Sequence, residues 1–185
     1  MSGKIQIIIS ILLSFSGHCL ASNYKIRSIE GAAYCGDQLL KVGEKLTTDC
    51  ELNTQAKSNI YLNDGEDILA FGENVSGIVK GVGQIELNSG MLRIRNKNPL
   101  TIQTPMGKID LVAGDYLSKA SNFLNETEIV NFQGEAKLYS KIKDNDFVEI
   151  LPGHWGGVGG RFSQQIGNLM KLDENQQKVF EVILN

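Results

Sequence analysis

The run PLTIQTPMGKIDLVAGDY, Pro99 to Tyr116, sets the tightest limit on how this chain folds. Leu100 and Ile102 alternate with Thr101 and Gln103. Beyond Thr104-Pro105-Met106-Gly107, Ile109 and Leu111 alternate with Lys108 and Asp110. Successive side chains of a strand point to opposite faces, so each run predicts a strand that buries one face and wets the other. Pro105 has its φ preset for the second position of a type I turn, and Gly107 suits the fourth. The prediction is strand, turn, strand, with structural rather than chemical reasons for the turn residues.

The chain on either side repeats this cadence. Gly36-Asp37 is a turn signal, and the segments around Cys35 and Cys50 read as a short strand pair. Ile60 and Leu62 lead into Asp64-Gly65, a strong hairpin signal, and Ile68 to Phe71 follows. Ile85 and Leu87, the turn Asn88-Ser89-Gly90, then Leu92 and Ile94 read as a second hairpin, with Glu86 set to pair across it with Arg93 or Arg95. Leu117 to Asn125 is irregular and predicts a loop over the sheet. Val130 and Phe132, the break at Gly134, then Ala136 and Leu138 give a further pair. Phe147, Ile150 and Leu151 form the last strand expected before Pro152-Gly153. Strands at this spacing predict an all-β fold: an antiparallel sandwich, a roll or a solenoid-like stack.

After Gly153 the pattern changes. His154 to Gly160, HWGGVGG, reads as a glycine-rich joint. Phe162, Ile166, Leu169 and Met170 have helical spacing. Asp173 and Gln176 have capping-box spacing, and Val179, Phe180, Ile183 and Leu184 make a second apolar face. A tail of one or two helices is expected.

The first residues read as a secretory signal. Lys4 supplies the positive end, Ile7 to Phe15 is apolar apart from Ser10 and Ser14, and Cys19 and Ala21 are small enough for cleavage before Ser22. The division is therefore 1–21 signal peptide, 22–153 β domain, 154–185 joint and helical tail. Losing Lys4 takes the formal charge from −3 to −4, which argues against a broad basic face for nucleic acid. The destination is periplasmic or secreted, with nothing spanning the membrane after cleavage. Cys35 and Cys50 remain, and an even count in an oxidising compartment favours a disulfide, with two buried thiols as the alternative.

Little chemistry is legible. Asp64, Glu66 and Asp67 lack EF-hand spacing and read as a solvated hairpin turn. No triad, metal set or working carboxylate pair can be assembled, so no catalytic residue, metal or cofactor is expected and the chain is read as a non-enzyme. His154, the one histidine left after cleavage, and Trp155, the one tryptophan, stand together where sheet meets tail. With Phe162, Ile166 and Met170 they are the candidate partner-binding residues. The competing reading is that Trp155 anchors the tail to the β domain.

Residues 36–153 resemble the FecR-type extracytoplasmic domain of bacteria. The signposts come in the family's order: Gly36-Asp37 with Leu39 and Gly43; IYLNDGEDI from Ile60; ELNSGMLRI from Glu86; the TP-x-G turn at Thr104 to Gly107 followed by Gly114-x-Tyr116; Gly134; and Ile150 to Gly153. The resemblance implies an all-β, exported, non-enzymatic domain. The best-known members carry a cytoplasmic anti-sigma helix domain and one membrane span, neither of which this sequence is expected to have. The expectation is a stand-alone interaction or accessory module of the cell envelope, with signal sensing as one use of it, whose partner is another envelope protein. The alternative is a module for envelope polysaccharide or peptidoglycan, presenting Tyr61, Tyr116 and Tyr139.

Overall fold

The computed structural model describes residues 24–81, 83–143, 146–162 and 166–184. The expected signal segment lies outside them. In chain order the strands are β1 (Lys25–Glu30), β2 (Ala33–Cys35), β3 (Gln38–Leu39), β4 (Cys50–Thr54), β5 (Asn59–Asn63), β6 (Ile68–Phe71), β7 (Ser76–Val79) and β8 (Gln84–Asn96). Then come β9 (Leu100–Gln103), β10 (Gly107–Leu111), β11 (Gly114–Ser121), β12 (Glu126–Gln133), β13 (Ala136–Ser140), β14 (Phe147–Ile150), β15 (His154–Gly159) and β16 (Met170–Lys171). A 3-10 turn, Gly160–Phe162, follows β15, and the helix α1 (Glu174–Val182) follows β16.

These strands form an all-β fold with a short helical tail, as expected. They lie in two sheets that share β8. The first runs β1-β5-β6-β8-β11-β12-β15-β16, and the second runs β3-β2-β4-β7-β8-β9-β10-β13-β14. Pairing among the described strands is antiparallel except between β8 and β9. One continuous core takes side chains from both sheets, including Leu52, Leu87, Ile102 and Leu138 from the second and Ile60, Leu69, Ile94 and Ile129 from the first.

The run that opens the sequence folds as predicted, β9-turn-β10. Thr104 N–H donates to Gly107 O at 2.9 Å, and the buried Thr104 hydroxyl meets that of Thr127 on β12 at 2.7 Å. The turn is thus tied to the opposite sheet. The Asp64-Gly65 hairpin also forms, between β5 and β6. Its acids are occupied by the turn: Asp64 Oδ1 accepts N–H groups of Glu66 and Asp67 at 3.0 and 2.8 Å, and buried Asp67 accepts Lys97 N–H at 2.7 Å.

Three expectations are corrected. Asn88-Ser89-Gly90 does not reverse the chain. Asn88 is the extra residue of a bulge opposite Ser76 and Gly77, and Gly90 has φ +95°. Together they bend one long strand out of the second sheet and into the first, where β6 and β11 satisfy its backbone. Glu86 and the arginines therefore lie along the same strand, and Glu86 pairs instead with Lys80 at 2.5 Å. Leu117 to Ser121 is not loop but part of β11. Its alternation was obscured because both its faces are covered, so Leu117 and Ser118 are buried alike.

The third correction concerns the tail. The glycine run is strand β15, hydrogen-bonded to β12. Among the described residues, the stretch from Ile166 to Met170 is not helical. Ile166 instead bridges to Val158, Gly167 N–H donates to Gly157 O at 3.0 Å, and β16 pairs with β15. The open edge of β15 offers these backbone groups partners that outweigh an isolated helical spacing. Only the last segment is helical. Asp173 caps it, accepting from Asn175 and Gln176 N–H at 2.9 and 2.8 Å while Gln176 Oε1 accepts Asp173 N–H at 3.0 Å, the expected capping box.

Cys35 and Cys50 are bonded, with Cα atoms 5.3 Å apart, joining the ends of β2 and β4. The bridge closes a loop with a sequence separation of 15. Constraining such a loop in the unfolded chain stabilises by about 3 kcal/mol in the chain-entropy account. Changing both cysteines to serine is expected to remove stability of about that size, read by denaturant melts. Reductant should then have no further effect, whereas it should lower the native protein's stability.

Candidate functional site

The outer face of the first sheet is where sequence and structure bring chemically varied side chains together. Alternation along β8, β11, β12 and β15 sends Met91, Arg93, Leu117, Lys119, Glu126, Glu128, Val130, Phe132, Trp155 and Gly157 outward, in registered rows. Left bare, this face would expose several large apolar groups. The C-terminal segment covers it. Leu172, Phe180 and Ile183 pack against Leu117, Val130, Met91, Phe132 and Trp155.

Two ionic clusters fasten this cover. Arg93 is buried and grips Asp115 through both forks of its guanidinium, at 2.7 and 2.9 Å. It stacks on Phe132 at 3.9 Å from the ring centroid and donates to the carbonyl of Phe180, near the end of α1, at 3.0 Å. A cation there also complements the helix dipole. At the other end, Arg161 pairs with Glu126 and Glu128, and Lys119 joins Glu128 at 3.0 Å. Both glutamates are buried, on one face of β12. Burial pushes the Glu126 carboxyl up, but the hydrogen bond with Glu128, the Arg161 backbone N–H and the Arg161 guanidinium hold it below the usual carboxylate range.

A carboxyl whose folded pKa is depressed contributes stability above its unfolded pKa and loses it as pH falls through the folded one. The Arg161 clamp should therefore hold at neutral pH and weaken on acidification through and below the usual carboxylate range. Fluorescence of Trp155, the one tryptophan, should report the loosening, and Glu126→Gln should remove that acid step from the titration.

The five residues singled out in the sequence do not form one surface. Trp155 is half-buried and meets buried Phe162 edge-on, ring centroids 5.6 Å apart, with Arg161 over both rings. Phe162 lies flat on Gly157, where an added Cβ would come within 2.5 Å of its ring. Ile166 turns toward the main core, and Met170 is exposed. His154 Nδ1 lies 3.0 Å from Pro152 O. Trp155 and Phe162 thus anchor the tail. Arg93 and Asp115 were missed because each reads as an ordinary wet position of an alternating strand; the only signal was an arginine on a face that the tail covers.

Of the three tyrosines expected to present an aromatic face, Tyr61 and Tyr139 are half-buried and Tyr116 is not at the surface. Tyr116 is fully buried in the core. Its hydroxyl donates to Glu135 O at 3.0 Å, and burial pushes that hydroxyl up to about 12. Tyr139 instead stacks on Phe147, centroids 5.6 Å apart.

The fold has a solved counterpart. A crystal structure of a proposed anti-sigma factor from Parabacteroides distasonis superposes with a TM-score of 0.54 at 12% identity, over 72% of this chain and 64% of that one. A second structure of a protein so described, from the same organism, gives 0.45 at 13% identity, over 74% and 64%. The chain thus spans less than two thirds of the length of these neighbours. No protein-family profile matches the sequence, and neither does any curated protein. The likeness establishes a shared β fold. Among the described residues no helix is long and apolar enough to cross a membrane, and no three metal-binding side chains converge.

A second feature lies far along the first sheet. A groove of about 630 Å³ opens beside β1, lined by Lys25, Arg27, Val42, Lys45 and the Asp64-Gly65 hairpin tip.

Proposed function

We propose that the protein is a non-enzymatic, exported, FecR-like interaction module of the bacterial envelope, with signal sensing as its use. The observation that carries this reading is the docked helix α1. Phe180 and Ile183 face the sheet, while Val179 and Val182 point away, 63% and 72% exposed. Met170 adds to the exposed apolar surface of the same tail. A helix held by its inner face, with two exposed valines among polar residues on its outer one, offers a contact for another protein. The anti-sigma description of the neighbour with the shared fold agrees with a regulatory role. The disulfide agrees with an oxidising compartment.

Placing a photo-crosslinking amino acid at position 179 or 182 in living cells tests the reading. A discrete adduct with an envelope protein, absent when the probe sits at exposed Lys41 and lost from position 179 in a Val182→Asp background, is the expected result. Equal labelling from position 41, or none from the helix, would overturn the role given to α1. The mass of the mature chain tests export separately, with Ser22 as the expected first residue.

A further inference from the structure

We propose that the groove beside β1 binds a phosphate group, presented either by a soluble phosphate compound or by a lipid headgroup. Lys25, Arg27 and Lys45 line it and are all exposed. Lys25 and Lys45 face each other directly across a β-bridge. Like charges in that arrangement repel and destabilise, and among the described residues none of the three cations has an ion-pair partner. Their gathering stands against a chain with more acids than bases, 21 to 18.

The backbone contributes to the arrangement. β1 is irregular between Ile26 and Ser28 where it pairs with β5, so Arg27 is the unpaired residue of a bulge. A bulge re-aims its side chain, and here Arg27 lines the same groove as Lys25. Among the described lining residues the one carboxylate, Asp64, already accepts two backbone N–H groups of its own turn. Three cations beside one acid leave a net positive recess.

Phosphate fits this recess by charge and by shape. A phosphomonoester carries close to two negative charges at neutral pH and offers three acceptor oxygens. Arg27 can grip two of them with its planar fork while the lysines act as mobile point charges. Val42, 60% exposed, gives the organic part of the ligand an apolar wall. The volume is within the range of small-molecule sites.

Titration of the full chain with inorganic pyrophosphate, followed by calorimetry and thermal melts, tests the proposal. Saturable binding is expected, with a melting-temperature rise larger than sodium chloride gives at the same ionic strength. The Lys25→Ala/Lys45→Ala pair should weaken binding at least tenfold. Without ligand it should melt no lower than the native protein, because it removes a repulsion. Arg27→Lys should retain more affinity than Arg27→Ala. Sedimentation with phosphatidylcholine vesicles, with and without phosphatidic acid, separates the sources. Capture by phosphatidic acid that the double variant loses marks a headgroup, and pyrophosphate binding without vesicle capture marks a soluble ligand. No saturable pyrophosphate binding, or equal affinity in the double variant, would overturn the site.

Discussion

Arg93→Ala is expected to lower stability by about 3 kcal/mol and to release the C-terminal helix. The loss has three parts that share one side chain. Asp115, only a quarter exposed, would keep its charge without its bidentate partner. Phe132 would lose the guanidinium stacked on it, and the Phe180 carbonyl would lose its donor. A helix of nine residues has little stability by itself, so its docking depends on such contacts. Denaturant melts followed by Trp155 fluorescence should show the stability loss, and limited proteolysis should cut the tail ahead of the sheets. Pairing Arg93→Ala with Asp115→Asn should recover part of the loss, because a carboxylate left with only the longer 3.4 Å contact to Arg95 is then gone. A fully additive double variant with an uncut tail would show that Arg93 does not fasten the helix.

Gly134→Ala should be at least as damaging, by roughly 3 kcal/mol or more. Gly134 has φ +109°, a conformation that alanine resists. An added Cβ would also lie 2.2 Å from the Tyr116 hydroxyl and 2.4 Å from Ala113 O. Tyr116 cannot withdraw, since its ring is enclosed by the core and its hydroxyl is held at Glu135 O. Tyr116→Phe alone should cost about 1 kcal/mol for that hydrogen bond. In combination, Tyr116→Phe should relieve part of the Gly134→Ala defect, leaving the backbone strain. Melting temperatures of the two single variants and the pair decide it. A Gly134→Ala protein as stable as the native one would refute this account of the Gly114-x-Tyr116 step.

Both predictions depend on contacts between residues that looked unremarkable in the sequence. Arg93 read as one wet position among many. Tyr116 read as a solvent-facing or ambiguous position, because alternation assigns a face but not what covers it. The candidate partner residues suffered the same ambiguity. The spacing of Phe162, Ile166 and Met170 fits a helix, yet Ile166 and Met170 pair along the edge of β15 and the three side chains go to different places. The basic groove escaped notice for a related reason: Lys45 meets Lys25 only after the chain has folded back on itself.

What the sequence alone determined is what depends on neighbours along the chain. Period-two alternation set the strands β5, β9 and β10, and the turn residues set the reversals at Asp64-Gly65 and Pro105-Met106. Capping chemistry placed the start of α1, and Cys35 and Cys50 suggested their own pairing. Only the tertiary structure decided that β8 runs through a glycine from one sheet to the other, that the glycine run is a strand, and that the tail covers the outer sheet face. In each case the choice depended on hydrogen-bond partners and apolar surface distant in sequence. Local propensities of a few tenths of a kcal/mol per residue cannot outweigh these, and no local pattern records them.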